Sequence, residues 1–210
     1  MADIPSFDPV EAPVTETPST PEKKESPVSL LFDYLEILVF SVCAVLILFT
    51  LCGRLCKVNG SSMRNTLYNG EMLITTNLVT PEAGDIIVFH QTSEVYTNLN
   101  EPLVKRIIAT EGQTVDIDFE EGIVIVDGKD LAEDYALEPT WLEEGMEFPL
   151  TVPENSYFLL GDNRNNSEDS RSTDLGTVTH EEVVGKAVLL VLPGETARSG
   201  KRDFGRMGLL

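Results

Sequence analysis

The sequence predicts a mostly β protein: one N-terminal transmembrane helix followed by an antiparallel, barrel- or sandwich-like domain with a small insertion. Two observations carry that prediction. A long run, "SLLFDYLEILVFSVCAVLILFTLCGRLCK", holds no charge between Ile37 and Cys52. Beyond Val58 the texture changes to short runs rich in Val, Ile, Leu and Phe, punctuated by Gly, Pro, Asn and Asp, with no sustained helical period.

Residues 1–28 are rich in Pro, Glu, Thr and Ser and poor in large apolar side chains. Such a segment cannot bury enough surface to offset the entropy of ordering it, so it is expected to be a disordered tail. The next element, 29–53, is expected to be the membrane helix. As a helix, Leu30–Cys52 reaches roughly 34 Å, enough for a hydrocarbon core of about 30 Å. No small-residue cleavage pattern follows it, so the run reads as a retained anchor and not a removed leader. Lys23 and Lys24 on one side balance Arg54 and Lys57 on the other, leaving the orientation open.

The β domain is expected over 54–193. Its strand candidates are "EMLITTNLV", "GDIIVFH", "PLVKRIIA", "TVDIDF", "GIVIVDG", "SYFLLG" and "VVGKAVLLVLP". Residues 131–150, acidic and carrying the single Trp141, break the strand rhythm and read as an insertion. The Gly-rich, basic stretch 194–210 reads as a flexible tail.

The net charge of −20 excludes a nucleic-acid surface, which needs clustered Lys and Arg. The acids thick between Glu111 and Glu147 read as a solvated face. Cys43, Cys52 and Cys56 all lie in or beside the apolar run, so no disulfide framework supports the domain. His90 and His180 stand apart from each other and from every cysteine, and no zinc spacing appears.

Three stretches stand out as candidates for chemistry: "GSSMRNTL" (60–67), "LVKRII" (103–108) and "GDNRNNSEDSR" (161–171). A serine nucleophile needs a base, and neither histidine sits in a suitable turn. A lysine set in an apolar strand is the alternative, because desolvation penalises the ammonium and leaves a neutral amine near neutral pH. Lys105, flanked by Leu103, Val104, Ile107 and Ile108, is such a lysine; an edge or surface lysine is the competing reading.

These stretches, in this order after one membrane helix, resemble the bacterial type I signal peptidases. The family's serine box is a small residue, any residue, Ser-Met, any residue, Pro-Thr-Leu, matched by Gly60 to Leu67 except that Asn65 replaces the proline. Its lysine box is matched at Lys105–Ile108. Its third box is matched at every fixed position from Gly161 to Arg171, and "PEAGDIIVF" fits the Gly-Asp strand that precedes the lysine.

The resemblance implies a Ser–Lys dyad serine protease with Ser62 as nucleophile and Lys105 as general base. Gly60, Ser61 and Met63 would serve the oxyanion and substrate. Ser167 would hydrogen-bond and aim the lysine, Asp169 and Arg171 would pair in support, and Asp162 and Arg164 would hold the loop. It implies exported preproteins as substrates, cleaved after a small-x-small pattern, with the lipid bilayer as the other partner and no cofactor or metal. It places the catalytic domain on the extracytoplasmic side of the cell membrane and the 1–28 tail in the cytoplasm. Asn65 frees φ where a ring would fix it, so slower or altered turnover is expected. The rival from another class is a membrane-tethered β domain that binds exported proteins without cutting them.

Overall fold

The computed structural model describes residues 27–91, 102–195 and 201–210. All but the last two residues of the expected N-terminal tail lie outside them. Those two open helix α1, Pro27–Cys52, of 26 residues. Within it Leu30–Ile47 is long and apolar enough to cross a membrane. Its apolar side chains stay open to the surroundings, Phe40 at 67% and Leu31 at 68% exposed. For a helix apolar on every side that arrangement suits lipid.

Beyond the helix, the strands of the described residues are antiparallel. The larger sheet comprises β1 (Arg54–Lys57), β2 (Met72–Thr76), β3 (Ile86–Phe89), β4 (Leu103–Thr110), β9 (Ser156–Leu160), β10 (Val178–Thr179), β11 (Val183–Leu192) and β12 (Gly208–Leu209). Its order is β1-β2-β11-β3-β4-β9-β10, with β12 paired to β11. The smaller sheet is β5 (Thr114–Asp118), β6 (Ile123–Val126), β7 (Lys129–Asp130) and β8 (Leu150–Thr151), in the order β7-β6-β5-β8. Every strand run read from the sequence is a strand here. The shorter β1, β7, β8, β10 and β12 were not legible as strands.

The large sheet is covered on both faces, which is why its central strands read as continuous apolar runs and not as alternating ones. Ile86 and Val88 of β3 enter one cluster with Val58, Met63, Leu67, Leu73, Val104 and Leu190. Ile87 and Phe89 enter another, with Ile107, Tyr157, Leu159, Leu175 and Val178. Strand β9 divides likewise: Phe158 and Leu160 join Ile108, Val115, Ile117 and Val124, a core shared with the small sheet. Register shifts in β11 and between Ile107 and Ala109 of β4 bend the large sheet. Where β11 crosses β2, a Cβ on Gly185 would stand 2.7 Å from the Thr76 carbonyl oxygen, so only glycine fits.

Two expectations are corrected. Residues 201–210, read as part of a flexible tail, fold back. Leu209 pairs with Leu189 and Gly208 with Leu190, and Arg206 forms an ion pair with Glu71. The acidic insertion is not simply a solvated face either. Its residues 131–149 return over the 161–171 loop, and Glu133 and Glu144 meet buried arginines there.

Phe158 is fully buried, and its ring meets that of Phe148 edge to face at 5.9 Å between centroids. Phe158→Ala is expected to lower the unfolding free energy of the chain by about 3–5 kcal/mol, read by urea denaturation in detergent.

Candidate active site

The serine-bearing turn leaves β1 through Val58, a core residue. Gly60 has φ +91°, a conformation side-chain-bearing residues rarely adopt, and its N–H donates to Asn69 Oδ1 at 2.9 Å. The turn closes on itself through Arg64 N–H to Ser61 O, Thr66 N–H to Met63 O and Leu67 N–H to Met63 O. Met63 and Leu67 plug it into the core. Ser62 is thereby held half-buried at the turn's apex. No acceptor among the described residues takes the Ser62 N–H.

The loop after β9 clasps this turn. Asn163 N–H donates to Ser62 O at 2.9 Å, Asn163 Nδ2 to Ser61 O at 3.0 Å, and Asn166 Nδ2 to Ser61 Oγ at 2.9 Å. Gly161 is the point of closest approach. A Cβ there would lie 2.1 Å from Ser167 Oγ and 2.6 Å from Ser62 O. Arg106 pairs with Leu160 in the β4–β9 ladder. Continuing that register by one step sets Lys105 opposite Gly161, and opposite residues of an antiparallel pair send side chains to the same side. Lys105, Ser167 and the Ser62 backbone therefore converge where Gly161 leaves room.

Lys105 is 4% exposed. On its other flank it pairs with Ile87, a core residue. Burial brings its amine down from 10.5 to about 8. The nearby Asp169, Glu144 and Glu168 carboxylates push it back up, and Arg171 lowers it further. Among the described residues the amine has neither a hydrogen bond nor an ion pair. Ser167 Oγ is likewise buried without a partner, so the expected Ser167–Lys105 hydrogen bond is not formed in this structure.

Three buried arginine–carboxylate pairs fix the walls. Arg106 holds both oxygens of Asp162, at 2.8 and 2.7 Å, and stacks 4.1 Å from the Tyr135 ring centroid. Thr66 Oγ1 also donates to Asp162, tying the serine turn to the loop. Arg171 holds Asp169 through Nε at 2.8 Å and Nη2 at 2.9 Å, and donates to the carbonyls of Leu142, Arg164 and Ser167. Asp169 in turn accepts the Gly161 N–H at 3.0 Å. Arg164 donates to Gly161 O, Thr140 Oγ1 and both oxygens of Glu133. Planar, bidentate pairs of this kind set geometry as well as charge.

Of the residues singled out in the sequence, Gly60, Ser61, Ser62, Lys105, Asp162, Arg164, Ser167, Asp169 and Arg171 meet here. Met63 is corrected: at 2% exposure it is a core residue and offers no side chain to a substrate surface. His90 is exposed at the end of β3, and His180 stacks on Tyr157 at 4.4 Å. Sequence reasoning missed Thr66, Asn163, Asn166, Glu133 and Glu144. Glu144 sits beside Asp169 and Arg171, and burial lifts its carboxyl to about 7. No pattern set it apart from its solvated neighbours Glu143 and Glu147.

A buried amine that sheds its proton near pH 8, beside a hydroxyl-bearing turn with an open N–H, suits acyl transfer at neutral pH. The family model "Signal peptidase, peptidase S26" matches residues 31–192. The probable signal peptidase I-2 of Synechocystis sp. is 36% identical over 83% of this chain and 79% of its own length. The signal peptidase I of Leptolyngbya laminosa is 33% identical over 84% of this chain and 90% of its own. A solved signal peptidase I from Enterococcus faecalis is 32% identical, covering 52% of this chain and 98% of that one, with a TM-score of 0.40. The chain belongs to the signal peptidase family, peptidase S26.

Gly161→Ala is expected to cut cleavage of a signal-peptide substrate by about 100-fold, since displacement of a reacting group by an ångström costs that much. Steady-state kinetics beside the wild type checks it.

Proposed function

We propose that the chain is a signal peptidase I that removes N-terminal signal peptides from exported preproteins after a small-x-small motif, with Ser62 as nucleophile and neutral Lys105 as general base. The observation that carries this reading is the desolvated, unpaired Lys105 amine facing the Gly161 gap beside Ser62 and Ser167.

Lys105 Nζ takes the proton from Ser62 Oγ, which attacks the scissile carbonyl carbon. The oxyanion so formed accepts the free Ser62 N–H, in a water-poor site where such a bond is worth about 3–4 kcal/mol of barrier. The Lys105 ammonium then protonates the leaving amide nitrogen, the C–N bond breaks and the mature protein departs with a new N-terminus. Water, deprotonated by Lys105, attacks the Ser62 ester; the ammonium returns that proton to Ser62 Oγ as the acyl C–O bond breaks, and the signal peptide leaves as a carboxylic acid that ionises in water. The Ser167 hydroxyl, buried without a partner, supplies the acceptor that orients the ammonium. Asp169 and Glu144 keep its transient charge tolerable.

The substrate binds extended, with small side chains beside Gly60 and Ser61. Helix α1 anchors the enzyme in the bilayer, single-pass, with the β domain on the extracytoplasmic side. Sharing the membrane plane raises the effective concentration of a membrane-borne substrate.

Ser62→Ala and Lys105→Ala are each expected to lower preprotein cleavage by about 10⁴-fold or more, read by mass spectrometry of the products; turnover surviving in Lys105→Ala would reject the dyad. The rate of the wild type should rise with pH through about 8, as the amine loses its proton. The same shift carries a stability signature. The folded amine lies below its unfolded value, so folding releases a proton in the window between about 8 and 10.5. The penalty for burying the charge is full below that window and vanishes above it. Lys105→Met, inactive, is therefore expected to melt at a higher temperature than the wild type at pH 7 and to lose that advantage at pH 10.5.

A further inference from the structure

The family match ends at residue 192, yet the chain beyond it returns to the serine-bearing turn. After β11 the chain passes Asn69 so tightly that a Cβ on Gly194 would stand 2.4 Å from its carbonyl oxygen. An isolated antiparallel bridge pairs Glu195 with Arg202. Asp203 caps a short 3-10 turn, Phe204–Arg206, by accepting the Gly205 N–H, and β12 then zips onto β11. The strap so formed delivers one side chain, Arg206, to the turn.

Arg206 makes three kinds of contact there. Nη2 donates to the Thr66 carbonyl at 2.8 Å. Nε donates to Glu71 Oε1 at 3.1 Å. The guanidinium lies 4.5 Å from the Tyr68 ring centroid. Glu71 is 1% exposed and also accepts the Tyr68 N–H. It carries its main chain back to β1 through Val58 N–H to Glu71 O and Gly70 N–H to Val58 O. Thr66 is thus gripped from two directions: its hydroxyl by Asp162 of the 161–171 loop, its carbonyl by Arg206. Asn65 beside it, unlike a proline, leaves φ free. Tertiary contacts such as these therefore add to the rigidity that the turn's own hydrogen bonds supply.

We propose that Arg206, presented by the C-terminal strap, is a positioning residue for the reaction: it locks the Thr66–Glu71 half of the turn and so fixes where the Ser62 hydroxyl stands. The proposal rests on Ser62 being the nucleophile. Glu71 takes Nε at 3.1 Å and, more loosely, Nη2 at 3.4 Å, and a lysine ammonium still answers its charge. The Thr66 carbonyl calls for the second arm of a planar guanidinium, which lysine lacks.

That difference makes the test. The full-length chain in detergent is assayed on a signal-peptide substrate as wild type, Arg206→Ala, Arg206→Lys and Ser62→Ala. Arg206→Ala is expected to lower kcat by about 10- to 100-fold with KM within about threefold, as misplacement of a reacting group does. The pH midpoint should stay near 8, because Lys105 is untouched. Arg206→Lys should recover the melting temperature and not kcat, and amide exchange in residues 61–67 should quicken in both variants while the sheet stays protected. A kcat in Arg206→Ala within about twofold of wild type, or full recovery of kcat in Arg206→Lys, overturns the proposal. Should Arg206→Ala not fold, Arg206→Lys alone decides it. Activity in Ser62→Ala would instead overturn the nucleophile assignment, separating that failure from a failure of the strap.

Discussion

The site depends on removing one ammonium group from water without giving it a counter-ion. Lys105 sits in the middle of β4, between a core isoleucine on one neighbouring strand and a glycine just past the end of the other. Desolvation is the largest influence on its amine and outweighs three carboxylates that pull the other way. If any of those carboxylates reached the amine directly, an ion pair would form and the lysine would stay charged throughout the physiological range. The fold prevents this by committing Asp169 elsewhere: its oxygens are taken by Arg171 and by the Gly161 N–H. The arginine thus restrains the acid, and its positive charge lowers the lysine further.

The other buried pairs serve the same end at one remove. Arg106 follows Lys105 in the strand and points the opposite way, where it grips Asp162; Asp162 in turn receives Thr66 from the serine turn. One strand therefore fixes both the amine and, through Asp162, the backbone that carries the hydroxyl. Replacing such pairs with apolar groups often leaves stability unchanged or raises it, so their value here lies in geometry. Arg164, fully buried, extends the arrangement to Glu133 of the excursion and makes that acidic segment part of the wall of the site.

Much of this was legible in the chain. Strands β3, β4 and β9 stood out because apolar runs buried on both faces are dense in β-branched and aromatic residues, and β11 because its apolar run is long. The 161–171 loop stood out only through its resemblance to the signal peptidases' third box; on composition alone it reads as a solvated polar turn. What the sequence hid falls into two kinds. Short pairings such as β1, β7, β10 and β12 carry too few residues to show a period, and β12 exists only because β11 offers it an edge. Partnerships across long separations were the other. Glu133 and Glu144 look like their solvated neighbours, because only the fold says which acid meets an arginine. Arg206 looked like one more charge in a basic tail, and Met63 was placed at a surface when its side chain anchors the turn from inside.

The most direct test of the central claim is the ionisation of Lys105 itself. The full-length chain can be labelled with ¹⁵N-lysine, the Lys105 side-chain signal assigned by its loss in Lys105→Met, and that signal followed by NMR across a pH titration. A midpoint of about 8 is expected. A Lys105 titrating near 10.5, with the amine charged over the whole working range, would contradict it.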